Sequence, residues 1–289
     1  MVAAPPKLEV RAVGTESFDD IAPLFDLFEN RKMSREDWRA MLFTYPWWDG
    51  AERGYALYAN GVAVGFMGTI FSRRTIRGRD ETFCNASCWI VREAYRSASI
   101  LLLRPILAMR ECTLVNWTPT ARSYDIFKKL GFKALESQSL LVPAIAPPWS
   151  FVGTSTDDPR VIERSLDGGE LQIYRNLASR PNVRHTILRH GDRRCYVVAT
   201  CRLVRGVPIA DVHYVGDRDF FWTHRGLAHV AFFRAFGALG MAIDARFSAG
   251  RTLRIAFRRQ AMRLYRPAHD DTAPDEIDGL FTEMMTLRL

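Results

Sequence analysis

Val91-Arg92-Glu93-Ala94-Tyr95-Arg96-Ser97-Ala98-Ser99-Ile100-Leu101 joins two segments of different period. Residues 82–91 before it read as a strand, and residues from about 99 to 110 after it read as a helix. The apolar run Ile100-Leu101-Leu102-Leu103-Arg104-Pro105-Ile106-Leu107-Ala108-Met109 is short and carries an arginine and a proline, so it predicts a buried helix and no membrane span. Upstream, Tyr55–Ala59 and Val62–Ile70 flank Asn60-Gly61, the strongest short hairpin signal. Leu8–Val13 alternates as a half-buried first strand does. Two helix starts follow it, at Ser17 with Asp19 and Asp20, and at Ser34 before Trp38, Met41 and Leu42.

Downstream, Thr113–Trp117 reads as a short buried strand, and Thr118-Pro119-Thr120 opens a helix to Leu130 with Gly131 as its C-cap. Extended structure resumes over 132–142. The order strand, two helices, three strands, helix, strand, helix, strand is mixed α/β with a mostly antiparallel front. Pro143-Ala144-Ile145-Ala146-Pro147-Pro148-Trp149 marks a boundary between a domain at 1–145 and one at 146–289. In the second half, short helical segments precede a hairpin around Gly191-Asp192, a strand over 209–215, a long helix over 220–239, a strand over 241–245 and extended stretches near 262–265 and 281–287. It reads as a diverged copy of the first.

With 289 residues, 48% hydrophobic and 25% charged, the chain is long enough for two cores and has no disordered composition. Met1–Lys7 shows no charged segment followed by an apolar run, so no secretory signal is expected. Five cysteines without metal-ligand spacing point to unpaired thiols, a reducing compartment such as the cytoplasm, and no metal. The net charge of +8 favours anionic partners. Arg246, Arg251, Arg254, Arg258, Arg259, Arg263 and Arg266 thicken toward the C-terminus, but regularly interleaved aromatics are missing, which argues against a nucleic-acid groove.

The 91–101 stretch resembles the signature of the acyl-CoA-binding N-acetyltransferase (GNAT) superfamily, in which a strand splays open and runs through Q/R-x-x-G-x-G/A into a helix. That resemblance implies two tandem GNAT-like domains, each a mixed, mostly antiparallel sheet flanked by helices, the second diverged. It also implies acetyl-CoA or another acyl-CoA as co-substrate, its pyrophosphate held by backbone N–H groups at the turn. Ile90, Val91, Arg96, Ser97, Ala98, Ser99, Ile100 and Leu101 are then the cofactor-binding candidates. Arg96 takes the first motif position, while Ser99 and Leu101 stand where the family prefers glycine and glycine or alanine.

Tyr124-Asp125-Ile126-Phe127-Lys128-Lys129-Leu130-Gly131-Phe132 resembles the family's terminal helix. The tyrosine that protonates the departing CoA thiolate in that family is matched here by Phe127, which carries no proton; Tyr124, one turn earlier, either substitutes for it or packs locally. Asn116 either presents its amide to the site or satisfies the strand end. Trp47 and Trp48, in Tyr45-Pro46-Trp47-Trp48-Asp49-Gly50, fall in the stretch that lines the family's acceptor pocket; they serve there or as buried staples. Glu81, Glu93 and Cys88 are the general-base candidates, with Glu81 expected at a solvated turn. In the second half, Asp211, His213 and His224 form the one titratable cluster near the corresponding turn.

The resemblance implies an N-acyltransferase acting on a small-molecule or amino-sugar amine by direct attack, as a monomer or a homo-oligomer. The alternative is a GNAT-like binding or structural protein without turnover. The strand is expected to splay after Val91.

Overall fold

The computed structural model describes residues 6–28, 33–135, 137–248, 250–251 and 255–286. Met1–Pro5, Arg254 and the end of the 281–287 segment, on which sequence expectations fall, lie outside them. The chain forms two compact units. The first comprises 1–135, 263–273 and 281–286, and the second 136–262, 274–280 and 287–289.

In the first unit, β1 (Leu8–Val13) precedes α1 (Phe18–Phe25) and α2 (Arg35–Leu42). The Ser34 hydroxyl accepts from the Asp37 N–H and Asp37 answers with its carboxylate to the Ser34 N–H, a reciprocal cap that starts α2. Next come β2 (Gly54–Ala59), β3 (Val62–Ile76) and β4 (Arg79–Val91). Asn60 and Gly61, at φ of 50° and 85°, supply the left-handed pair that a tight two-residue hairpin requires. The unit continues with α3 (Leu103–Ala108), β5 (Cys112–Asn116), α4 (Ala121–Lys129) and β6 (Lys133–Ala134). Thr120 caps α4 by accepting from the Ser123 N–H.

The second unit contains β7 (Ser137–Pro143), β8 (Thr154–Thr156), α5 (Pro159–Ser165), α6 (Gly168–Leu177), β9 (Arg184–His190), β10 (Arg193–Val204) and β11 (Val207–Val215). It closes with α7 (Arg218–Thr223), α8 (Arg225–Phe236), β12 (Gly240–Asp244) and β13 (Phe257–Ala261). β14 (Leu264–Arg266) follows in sequence but belongs to the first unit.

The two sheets share one plan. The first runs β1-β2-β3-β4-β5-β14-β6 and the second β8-β9-β10-β11-β12-β7-β13. All recorded pairs are antiparallel except β4 with β5 and β11 with β12, at the same place in each sheet. The sixth place is filled by exchange: β14, from the end of the chain, lies between β5 and β6, while β7, from the first half, lies between β12 and β13. The units are therefore cut differently from the continuous stretches 1–145 and 146–289, because the proline-rich segment follows β7 rather than preceding it. This is a mixed α/β chain whose two units each build a mixed, mostly antiparallel sheet flanked by helices, as expected.

Local elements differ from expectation at four places. The helix expected over 99–110 is a run of 3-10 turns, Glu93–Leu102, leading into a short α3; Pro105 is accommodated in its first turn. The long helix over 220–239 breaks at His224 into α7 and α8. The 281–287 stretch holds a 3-10 turn at Glu283–Met285 rather than a strand, with Phe281 at φ 58°. Glu81 is not at a turn but buried within β4. Among the described residues no helix is long and apolar enough to cross a membrane.

Side-chain alternation along β4 divides the first unit's interior. Cys84 and Ala86 point into a core with Leu102, Leu103 and Ile106 of the α3 region, Phe127 of α4, Phe132 and Leu264. Glu81, Phe83 and Asn85 point to the other face, where α1 and α2 pack through Phe25 and Phe43 on Phe66. Leu264, completely buried, is the plug by which β14 enters the first core.

Replacing Leu264 with alanine is expected to lower the stability of the first unit by about 3 kcal/mol, read as a shifted urea midpoint, because a cavity opens between β5 and β6. A second expectation concerns acid. Burial holds His185 and His229 of the second unit neutral, lowering each from 6.5 to about 4. Between those pH values the unfolded chain binds protons that the folded chain refuses, so stability is full above about pH 6.5 and falls as pH drops toward about 4. Each histidine adds up to about 1.4 kcal/mol per pH unit to that slope, and His229→Gln should flatten it in thermal melts taken across the range.

Candidate functional site

β4 and β5 pair in parallel only from Thr82–Cys112 to Asn85–Val115. β4 then runs on to Val91 while β5 ends at Asn116, so the two strands part. The parting begins six residues earlier than the splay expected after Val91. Its cause is local: the register of β3 on β4 shifts between Phe66 and Gly68, and Cys88 takes a φ of 57° in the resulting bulge. A bulge of this kind sharpens the twist and re-aims the strand. Backbone groups of β4 facing the gap lose their ladder on that side and are available to a ligand.

A buried polar network spans the mouth of the gap. Asn85, the last β4 residue in the ladder, accepts from the Trp117 N–H at 3.2 Å and donates through Nδ2 to the Glu283 carboxylate. The Thr118 hydroxyl donates to the other Glu283 oxygen. Glu283 is 2% exposed, and burial raises its carboxyl above the ordinary value although both hydrogen bonds favour the charged form. Among the described residues no lysine or arginine pairs with it. It belongs to the face of the sheet that carries Asn85, opposite the α3 and α4 core.

The turn residues lie along the outside of the 3-10 run. Arg96 is exposed and paired with Glu93 at 2.6 Å. Ser97 and Ile100 are exposed, Ala98, Ser99 and Leu101 half-buried, and Leu101 packs on the core beside Val91. Ile90 is buried in β4. Phe127, at the position of the family's tyrosine, is 1% exposed and meets Phe132 and Trp89 edge-on with ring centroids 4.8 and 6.0 Å away. Tyr124 is half-buried against the same core, and Asn116 is buried at the end of β5, opposite Leu264.

Trp47 is buried and donates to the Phe71 carbonyl at 3.1 Å, its ring 5.2 Å from Tyr45 and 5.6 Å from Phe281. Trp48 is half-buried and stacks on Phe71 at 5.1 Å with Arg73 over it. Of the base candidates, Glu93 is taken up by Arg96, and burial pushes the Cys88 thiol up to about 12, far from a thiolate at neutral pH. Glu81 accepts from the hydroxyls of Thr113 and Thr272 and stands 3.8 Å from Arg79, at the opposite end of the β4–β5 ladder from the parting.

In the second unit the three candidate titratable residues each have a local partner. Asp211 meets Arg202 at 3.0 Å, His213 meets the Thr200 hydroxyl at 2.9 Å, and His224 meets the Val152 carbonyl at 3.0 Å. The C-terminal arginines divide between the units: Arg263 covers Trp117 and Arg266 donates to the carbonyls of Leu107 and Met109 in the first, whereas Arg246 is clamped to Asp244 and Arg251 to Asp219 in the second. Asn85, Thr118 and Glu283 escaped the sequence reading. Glu283 reaches the site from the end of the chain, and no spacing relates it to β4.

No protein-family model and no curated protein matches the sequence. Solved structures do match. A GCN5-related N-acetyltransferase of Anabaena variabilis shares 13% identity at a TM-score of 0.61, over 91% of this chain and 73% of that one. Another from Kribbella flavida shares 13% at 0.58, over 92% and 72%. At such identities the likeness is one of fold, and both extend across the two units. The chain carries the fold of the GCN5-related N-acetyltransferases, with its sheet built once in each unit.

Proposed function

We propose that the first unit binds an acyl-CoA, such as acetyl-CoA, along the open edge of β4 and transfers the acyl group to a primary amine of a small molecule or amino-sugar. The observation that carries this reading is the parting of β4 from β5 after Asn85–Val115, which leaves backbone donors facing a gap between the strands. Donors fixed before a ligand arrives can hold a pantetheine arm and polarise a thioester carbonyl without reorganising.

The residues present fit such a co-substrate in part. Arg92, Arg96 and Arg104 are exposed around the 3-10 run, a basic rim for the pyrophosphate. Arg96 is held by Glu93, but both side chains are more than half exposed, and a pair of that kind is worth at most about 1 kcal/mol. A phosphate can therefore take Arg96 from Glu93. The amine attacks the carbonyl directly, and Tyr124 supplies the proton to the departing thiolate, since Phe127 has none to give. A second reading, binding without turnover, is favoured by the deep burial of Phe127 where the family places its acid.

Calorimetric titration with acetyl-CoA and a long-chain acyl-CoA tests the site. Arg96→Glu is expected to weaken acetyl-CoA binding about tenfold or more, the effect of replacing a phosphate's cation by an anion at the protein surface. Unchanged affinity in this variant removes the turn from the binding site. Tyr124→Phe is expected to lower the acyl-transfer rate about a hundredfold with acetyl-CoA affinity intact; a rate equal to wild type assigns the thiolate's proton to solvent.

A further inference from the structure

Three observations converge on the C-terminal segment of the first unit. Glu283 is a buried carboxyl that no arginine or lysine neutralises among the described residues. Buried carboxylates kept only for packing are ordinarily paired with a cation, because an isolated charge in the interior is expensive. Asn85 donates to one of its oxygens and is itself oriented by the Trp117 N–H that it accepts across the parting. Thr118, whose hydroxyl donates to Glu283, is itself an exposed residue. The carboxyl is thus sealed from water but joined to the surface through one hydroxyl, at the point where β4 leaves β5 and on the face opposite α3 and α4.

We infer that the Glu283 carboxylate, reached through the Thr118 hydroxyl, accepts the proton of the attacking amine in the acyl transfer proposed above, on which this inference rests. The amine nitrogen forms a bond to the thioester carbonyl carbon. As its N–H proton passes to Thr118 Oγ1, the Thr118 proton passes to Glu283. The C–S bond then breaks, the thiolate departs with the electron pair and takes a proton from Tyr124, which recovers one from solvent. Glu283 returns its proton to solvent by way of Thr118, so the net products are the amide and free CoA.

Burial raises the Glu283 carboxyl above the ordinary value, and a stronger base takes the amine proton more readily. Asn85 does not touch the reacting atoms in this scheme and is a positioning residue. Its amide holds one carboxyl oxygen, leaving the other for Thr118.

The test measures CoA release from acetyl-CoA with glucosamine, ethanolamine and n-butylamine, for the full chain and for Glu283→Gln, Thr118→Val and Thr118→Ser, with calorimetric acetyl-CoA binding alongside. Expected are a fall in kcat of about a hundredfold in Glu283→Gln and in Thr118→Val, with acetyl-CoA affinity and amine KM within about threefold of wild type, and rescue to within about threefold in Thr118→Ser. Glu283→Gln at wild-type kcat overturns the inference, as does Thr118→Val at wild-type kcat. If Glu283→Gln fails to fold, the contrast between Thr118→Val and Thr118→Ser decides: equal rates overturn it. A wild type that binds acetyl-CoA but acylates none of the three amines overturns the relay and the transfer reading together, and one that binds no acetyl-CoA overturns the proposed function itself.

Discussion

The parallel pairing of β4 with β5, and its early end, is the constraint around which the first unit is arranged. Parallel strands need a crossover, and here it is the 3-10 run and α3 that carry the chain from Val91 to Cys112. Once the ladder stops, the backbone groups on both strands must be met by something else. Inside, at the mouth, side chains meet them: Asn85 accepts from the Trp117 amide where a strand carbonyl would have done so. Further out, the gap is left to solvent or ligand. The bulge at Cys88 makes the difference between a closed sheet and a usable opening.

Both ends of the paired segment are tied by residues far along the chain. At the start of β4, Glu81 gathers Thr113 from β5 and Thr272, with Arg79 bridging to Asp271 at 3.0 Å. At the parting, Glu283 gathers Asn85 and Thr118. Each tie is a carboxylate on hydroxyl or amide donors, and burial makes such bonds more demanding of geometry than their surface counterparts. The strand pair is thereby held in one register on either side of the parting.

Most of the first unit's plan was legible because local chemistry and tertiary structure agree there. Asn60-Gly61 demands a hairpin, and Ser34 and Thr120 are caps whose partners stand three residues on, whereas β1 forms as expected but buries only Val13. The 91–101 resemblance located the opening to within a few residues, but the bulge that sets its start depends on the pairing of β3 with β4, which no local signal carries. Glu81 looked like a turn residue since a lone glutamate gives no hint of two threonines and an arginine arriving from elsewhere. Glu283 was invisible for the same reason, compounded by a short apolar segment read as strand where Phe281 takes a left-handed turn. The exchange of β7 and β14 was equally hidden, since strands that swap sheets keep the composition they would have at home.

That exchange sets a timetable for synthesis. A ribosome that has made α4 and β6 has produced every α-helix of the first unit, yet the place between β5 and β6 stays open until Leu264 emerges, and β7 must likewise wait for β12 and β13. The nascent first unit therefore waits with an unfilled sheet and an exposed apolar groove, the kind of surface that slow, long-range pairing leaves open to chaperones and to misassembly. The last two dozen residues, which bring Thr272 and Glu283 as well, complete the core and the polar mouth of the gap in one late step. The segment that closes the first core thus also supplies Glu283 to its polar mouth.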